Sequence, residues 1–141
     1  MLAHHNILLL ASEEKESAAI RELLRGHVVL TCAQSLRELR ALLQKSDYDA
    51  VFCSWAFHAG TWSEVLDVVR EESPEVPTIV LSRVGAEQEW VEALEAGAFD
   101  LLAPPFRERS LLAVLEQASA SREARLWWRG ASSEQPDAVS N

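Results

Sequence analysis

Apolar and polar positions along the chain fall into alternating blocks of two periods. "NILLL" at 6–10 is a continuous apolar run of strand length. In "EEKESAAIRELLR" at 13–25, Ala18/Ala19, Leu23 and Leu24 recur at helical spacing. Ser12 precedes that block as its expected N-cap, and Gly26 follows it. "VVLTC" at 28–32 is short and β-branched, a second strand. "SLRELRALLQ" at 35–44 opens with Ser35 and Glu38 as a capping box and carries Leu36, Leu39, Leu42 and Leu43 on one face. "AVFCS" at 50–54 is the third strand. "TWSEVLDVVREE" at 61–72 repeats the box with Thr61 and Glu64, and turns Val65, Leu66, Val68 and Val69 inward.

The alternation continues to the end of the folded part. "TIVLS" at 78–82 follows Pro77 as strand four, and "AEQEWVEALEAG" at 86–97 is a helix ended by Gly97. "FDLLA" at 99–103 is strand five, stopped by Pro104 and Pro105. A last helix from about Glu108 to Trp128 presents Leu111, Leu112, Val114, Leu115 and Ala118 to a core. Strands this apolar must be covered on both faces, which predicts an α/β three-layer sandwich: a five-stranded parallel sheet, doubly wound. Periodicity does not choose between the two strand orders common for that class. The expected organisation is one domain at 1–129 and a disordered tail at 130–141, where "GASSEQPDAVSN" is small, polar and interrupted by proline.

Composition narrows the classes. The 141 residues are 48% hydrophobic and 25% charged, as in globular domains. No apolar run approaches the roughly 20 residues of a membrane span, and "MLAHHNILLL" lacks a basic leader, so a cytoplasmic protein without a membrane partner is expected. The formal net charge is −9. Residues 1–106 hold 8 basic and 17 acidic side chains, and such a surface repels nucleic acid. Cys32 and Cys53 each close a predicted strand and are expected as free, largely buried thiols. No Cys/His spacing resembles a metal site, and no cofactor is expected.

The stretch "EALEAGAFDLLAPPF" at 92–106, with "YDAVF" entering strand three and "PTIVLS" forming strand four, resembles the receiver domain of bacterial two-component response regulators. The resemblance covers residues 6–120. It implies the strand order 2-1-3-4-5, a cis bond before Pro105, and a site at the C-terminal ends of strands one, three and five. It also implies chemistry that most matching positions here lack. The acidic pair that holds Mg²⁺ falls on Ala11 and Ser12, with Glu13 adjacent. The phosphoacceptor aspartate falls on Ser54. The strand-four hydroxyl falls on Ser82, which fits. The lysine falls on Pro104 and the switch aromatic on Leu101. Without those groups, charge developing on a transferring phosphoryl group would go unneutralised. Asp49 does not rescue the site, since it stands at the strand's entrance, roughly 16 Å from the exit.

The expected function is therefore that of a degenerate receiver: signalling by protein–protein contact, independent of phosphorylation and without enzymatic activity. The partner would be another signalling protein or a second copy. The alternative is a small-molecule sensor with an apolar, Trp-lined pocket at the ends of strands one and three, because Trp55, Phe57 and Trp62 bracket that loop. Those rings either seal the vacated cleft or line such a pocket. His58, without a partner in reach, reads as a loop residue. Trp90 lies where receivers meet partners. Trp127 and Trp128, beside Arg122, Arg125 and Arg129, have the composition of interface anchors or fold back over the domain's own edge.

Overall fold

The computed structural model describes residues 5–57 and 60–134. The chain runs β1 (Asn6–Leu10), α1 (Glu14–Leu24), β2 (Val29–Cys32), α2 (Leu36–Lys45), β3 (Ala50–Ser54), β4 (Ala56–Phe57), β5 (Gly60–Thr61), α3 (Trp62–Glu72), β6 (Thr78–Leu81), α4 (Glu87–Ala96), β7 (Asp100–Leu102) and α5 (Glu108–Glu134). Five strands pair in parallel in the order β2-β1-β3-β6-β7, which is the expected 2-1-3-4-5 once the two short strands are set aside. β4 and β5 form an antiparallel hairpin of their own, Ala56 opposite Thr61 and Phe57 opposite Gly60.

Alternation along the central strands divides the core into two layers. Ile7, Leu9, Ala50, Phe52, Ile79 and Leu81 face α1 and α5, where Ile20, Leu24, Leu111, Leu115 and Ala118 meet them. Leu8, Leu10, Val51, Cys53, Val80 and Leu101 face the other way, onto Leu39, Leu43, Val65, Val69 and Ala93. Every residue of β3 is buried, as a central parallel strand covered on both faces requires.

Several local expectations are corrected. In α1 the inward positions are Ser17, Ile20 and Leu24, while Ala18 and Ala19 are exposed. The helix begins one residue late, with Glu13 rather than Ser12 as N-cap, and its inner stripe follows Ile20 and Leu24, which puts Ser17 inside and Ala18 and Ala19 outside. Cys32 is half-buried rather than buried, because β2 is the edge strand; both cysteines are free. The β4–β5 hairpin was not foreseen, since two-residue strands carry no periodicity. His58 lies outside the described residues.

The Pro104–Pro105 bond is cis, as the resemblance implies. Beyond it, α5 continues through residue 129 to Glu134, so the first part of the expected tail is helical. Gly130 only weakens a helix, by about 1 kcal/mol. Residues 135–141 lie outside the described residues. With 27 residues, α5 is about 40 Å long, against about 17 Å for a five-residue strand, so it projects well past the sheet.

Candidate functional site

β1, β3 and β6 end side by side, with Leu10 opposite Cys53 and Ser54 opposite Leu81. That brings Ser12 beside Ser54. Ser54 is 2% exposed. Its hydroxyl accepts the Ser12 backbone N–H at 2.9 Å and donates to the Glu16 carboxylate. The same carboxylate oxygen accepts the Ser12 N–H at 3.1 Å and the Ser12 hydroxyl at 3.3 Å. Sequence reasoning weighed Glu13 and missed Glu16. Glu13 is exposed and offers only its carbonyl, to Ser17 N–H at 3.1 Å. With Glu13 as N-cap, Glu16 is the third helical residue, the place from which a capping-box carboxylate reaches back. The same reach occurs at α2, where Glu38 accepts the Gln34 N–H at 2.6 Å while Ser35 caps Glu38. That spacing is the signal that could have found Glu16.

These donors do not make a Mg²⁺ site. A hard divalent cation needs an open set of oxygens, usually more than one carboxylate. The group here is two neutral hydroxyls and one carboxylate oxygen already accepting three hydrogen bonds. Among the described residues no three His, Cys, Asp or Glu side chains cluster as metal ligands.

Ser82, at the end of β6, is likewise 2% exposed and engaged. Its oxygen accepts the N–H of Val84 at 3.2 Å and of Gly85 at 2.6 Å, and it donates to Glu89 on α4 at 2.5 Å. Gly85 has φ +70°, and a Cβ there would stand 2.7 Å from that of Ala103, so this turn requires glycine. Leu101 is buried in the layer under α2–α4. Pro104 is exposed, and Phe106 packs partly into the opposite layer.

Among the described residues, the two tryptophans of the aromatic loop pack on each other. Trp55 and Trp62 rings stack at 5.2 Å with a 38° tilt, and Trp62 is buried. The cleft beside β1 is about 80 Å³ and is lined by Ser12, Glu13, Ser17, Cys32 and Phe57 among others, with neither Trp. Arg21 donates to the Cys32 sulfur there at 3.0 Å.

Three tryptophans do face solvent. Trp90 is 46% exposed on α4, near Val84 and Val91. Trp127 and Trp128 are 67% and 65% exposed, packed edge to face at 5.5 Å, so they do not fold back over the domain. Leu126 is exposed beside them. Arg122 is not part of that patch. It pairs with Asp49 at 3.3 Å at the amino edge of the sheet, where Asp49 also accepts the Asn6 N–H at 2.9 Å.

Residues 7–116 match the model of the response regulator receiver domain, and the chain belongs to that family. It is 26% identical over 111 residues to the response regulator protein PilR of Pseudomonas aeruginosa, covering 75% of this chain and 25% of that one. The chain thus spans about a quarter of the length of that relative. Among solved structures it superimposes on the adenylate cyclase from Rhodopirellula baltica with TM-score 0.80 and 18% identity, over 91% of this chain and 96% of that one. It superimposes on the beryllofluoride-activated NtrC4 receiver domain dimer with TM-score 0.75 and 21% identity, over 83% and 98%. At these identities the structural likeness establishes the five-stranded receiver fold alone.

Proposed function

We propose that this receiver domain is degenerate and signals by protein–protein contact without being phosphorylated. The observation that carries the reading is the Glu16 carboxylate bonded to the Ser54 hydroxyl. By its resemblance to the family, Ser54 falls in the phosphoacceptor's place. A serine there is not a carboxylate nucleophile, and its proton is donated to a side chain that also closes the adjoining metal position. Pro104 brings no cation to a phosphoryl oxygen.

The contact surface in this reading is the projecting part of α5, with Trp127 and Trp128 as anchors and Trp90 as a second candidate. Exposed aromatics are what interface cores are made of. A second copy of this chain fits, as does another cytoplasmic signalling protein; the NtrC4 relative is a dimer by its description. The net charge of −9 disfavours nucleic acid as a direct partner. No catalytic step is assigned to the domain.

Incubation with acetyl phosphate and Mg²⁺, followed by intact mass, tests the first half: the mass stays unchanged. A stable phosphoryl adduct on the strand-end loops overturns it. Sedimentation of the chain against one ending at Ala124 tests the second. The intact chain self-associates or retains a partner that the shortened one loses. Two monomers with the same captured partners remove α5 as the interface.

A further inference from the structure

At the amino edge of the sheet, opposite the Ser54 end, lies a cavity of about 130 Å³. At about 30 Å³ of liquid per water, it has room for four waters or one small polyatomic ion. Val69, Val76 and Thr78 are among the residues that line it. The Thr78 residue is 2% exposed, and its hydroxyl has no hydrogen-bond partner among the described residues. Its backbone is spoken for: Phe99 N–H donates to its carbonyl at 2.7 Å. A buried hydroxyl left unpaired is unfavourable.

Two arginines line the cavity as well. Arg70 comes from α3. It donates Nη2 to the Ala96 carbonyl and Nη1 to Asp67 at 3.2 Å, which leaves three of its five N–H donors. Gly97, with φ +110°, makes this approach possible, since a Cβ there would stand 3.0 Å from Nη2. Arg125 comes from the opposite layer, carried there because α5 runs on past the sheet. It makes no hydrogen bond or ion pair to another described residue. No carboxylate lines the cavity, in a chain with 22 acidic and 13 basic side chains.

We propose that this cavity binds a small oxyanion, phosphate or a short carboxylate, held by Arg70 and Arg125, with the unpaired Thr78 hydroxyl as a further donor. The planar guanidinium fork suits both ligands. Occupation would tie α5 to α3 across the sheet edge, just before the exposed Leu126, Trp127 and Trp128. This inference stands on the cavity alone and does not rest on the reading of the strand-end site.

The test is ¹⁵N–¹H correlation spectroscopy on the full chain, titrated separately with orthophosphate, acetate and chloride at constant ionic strength. The expected result is a saturable shift of the Gly97 and Thr78 amides with an oxyanion and none with chloride. Saturation by acetate as well as phosphate assigns a carboxylate-tolerant site; saturation by phosphate alone assigns phosphate. Arg125→Gln, an exposed helix position, should weaken the saturable binding about tenfold with an unchanged melting temperature. Thr78→Val should weaken it as well, read by the Gly97 amide. Shifts that stay linear, that chloride reproduces, or that Arg125→Gln leaves unaltered overturn the proposal.

Discussion

The Ser54 hydroxyl donates to the Glu16 carboxylate across 38 positions of sequence, joining the end of the central strand to the first turn of α1. The pair is shielded by the Ser12 loop, whose backbone N–H is shared between the two side chains at 2.9 and 3.1 Å. Three donors converge on one carboxylate, so its removal strands more than one group.

Glu16→Ala should therefore lower stability by about 1–2 kcal/mol in urea unfolding, and by more than Ser54→Ala, which leaves the Ser12 donors paired. Glu16→Gln should fall between. Equal midpoints for Glu16→Ala and the parent chain would mean that water serves Ser54 and Ser12 equally well.

Arg122 and Asp49 have side chains only 13% and 17% exposed, so neither charge is well solvated. Removing one leaves the other without its partner, at a cost of about 2 kcal/mol for Arg122→Ala. Because the pair holds α5 at the sheet edge, the same variant should lose helical circular dichroism from the projecting turns. A double-mutant cycle with Asp49→Asn isolates the coupling; additivity of the two changes would dissolve the argument.

Burial pushes the Cys53 thiol far above its ordinary range, and the side chain is inaccessible. In the folded chain a disulfide reagent such as DTNB should titrate Cys32 only. Cys53 should react on addition of denaturant, with the same midpoint as unfolding. Two fast thiols in native buffer would contradict the packing of β3.

Glu72 is held below the usual carboxylate range by hydrogen bonds from Gln44 and then from Arg40, the latter at 2.5 Å. A carboxyl depressed in the folded state adds stability above its unfolded value of 4.5, and that stability is lost as the pH falls through the lower, folded value. The stability difference between the parent chain and Glu72→Gln should be constant near neutrality and shrink as the pH drops below 4.5. A difference that does not change with pH would show that the α2–α3 clasp has no electrostatic content.

Much of the fold was legible because each layer imposes its own period on the chain. β1 and β3 span Asn6–Leu10 and Ala50–Ser54, the same bounds that the apolar runs predict, since a strand buried on both faces admits no polar interruption. The capping serine before α2 bonds Glu38 N–H at 3.1 Å, as its spacing anticipates. The strand order came from likeness to a family, and Ile7↔Ala50 with Val51↔Thr78 places β1 and β6 on the two sides of β3 accordingly. What failed was finer. In α1 the inward stripe is Ser17, Ile20 and Leu24, and the small apolar Ala18 and Ala19 face solvent, because only packing tells which side of such a helix is inside.

By itself, the sequence determined which segments are strands and helices, because burial pattern and capping are local and periodic. It also determined which groups could never be present at the strand ends: no aspartate at 54, no lysine at 104. Only the tertiary structure decided which distant side chains meet. Glu16 meets Ser54, Arg122 meets Asp49, and Arg70 and Arg125 line one cavity, pairings separated by 38, 73 and 55 positions. No periodicity relates such residues. They meet because strand pairing brings distant loops to one sheet edge, and because the length of α5 carries its arginines past the end of the layer it covers.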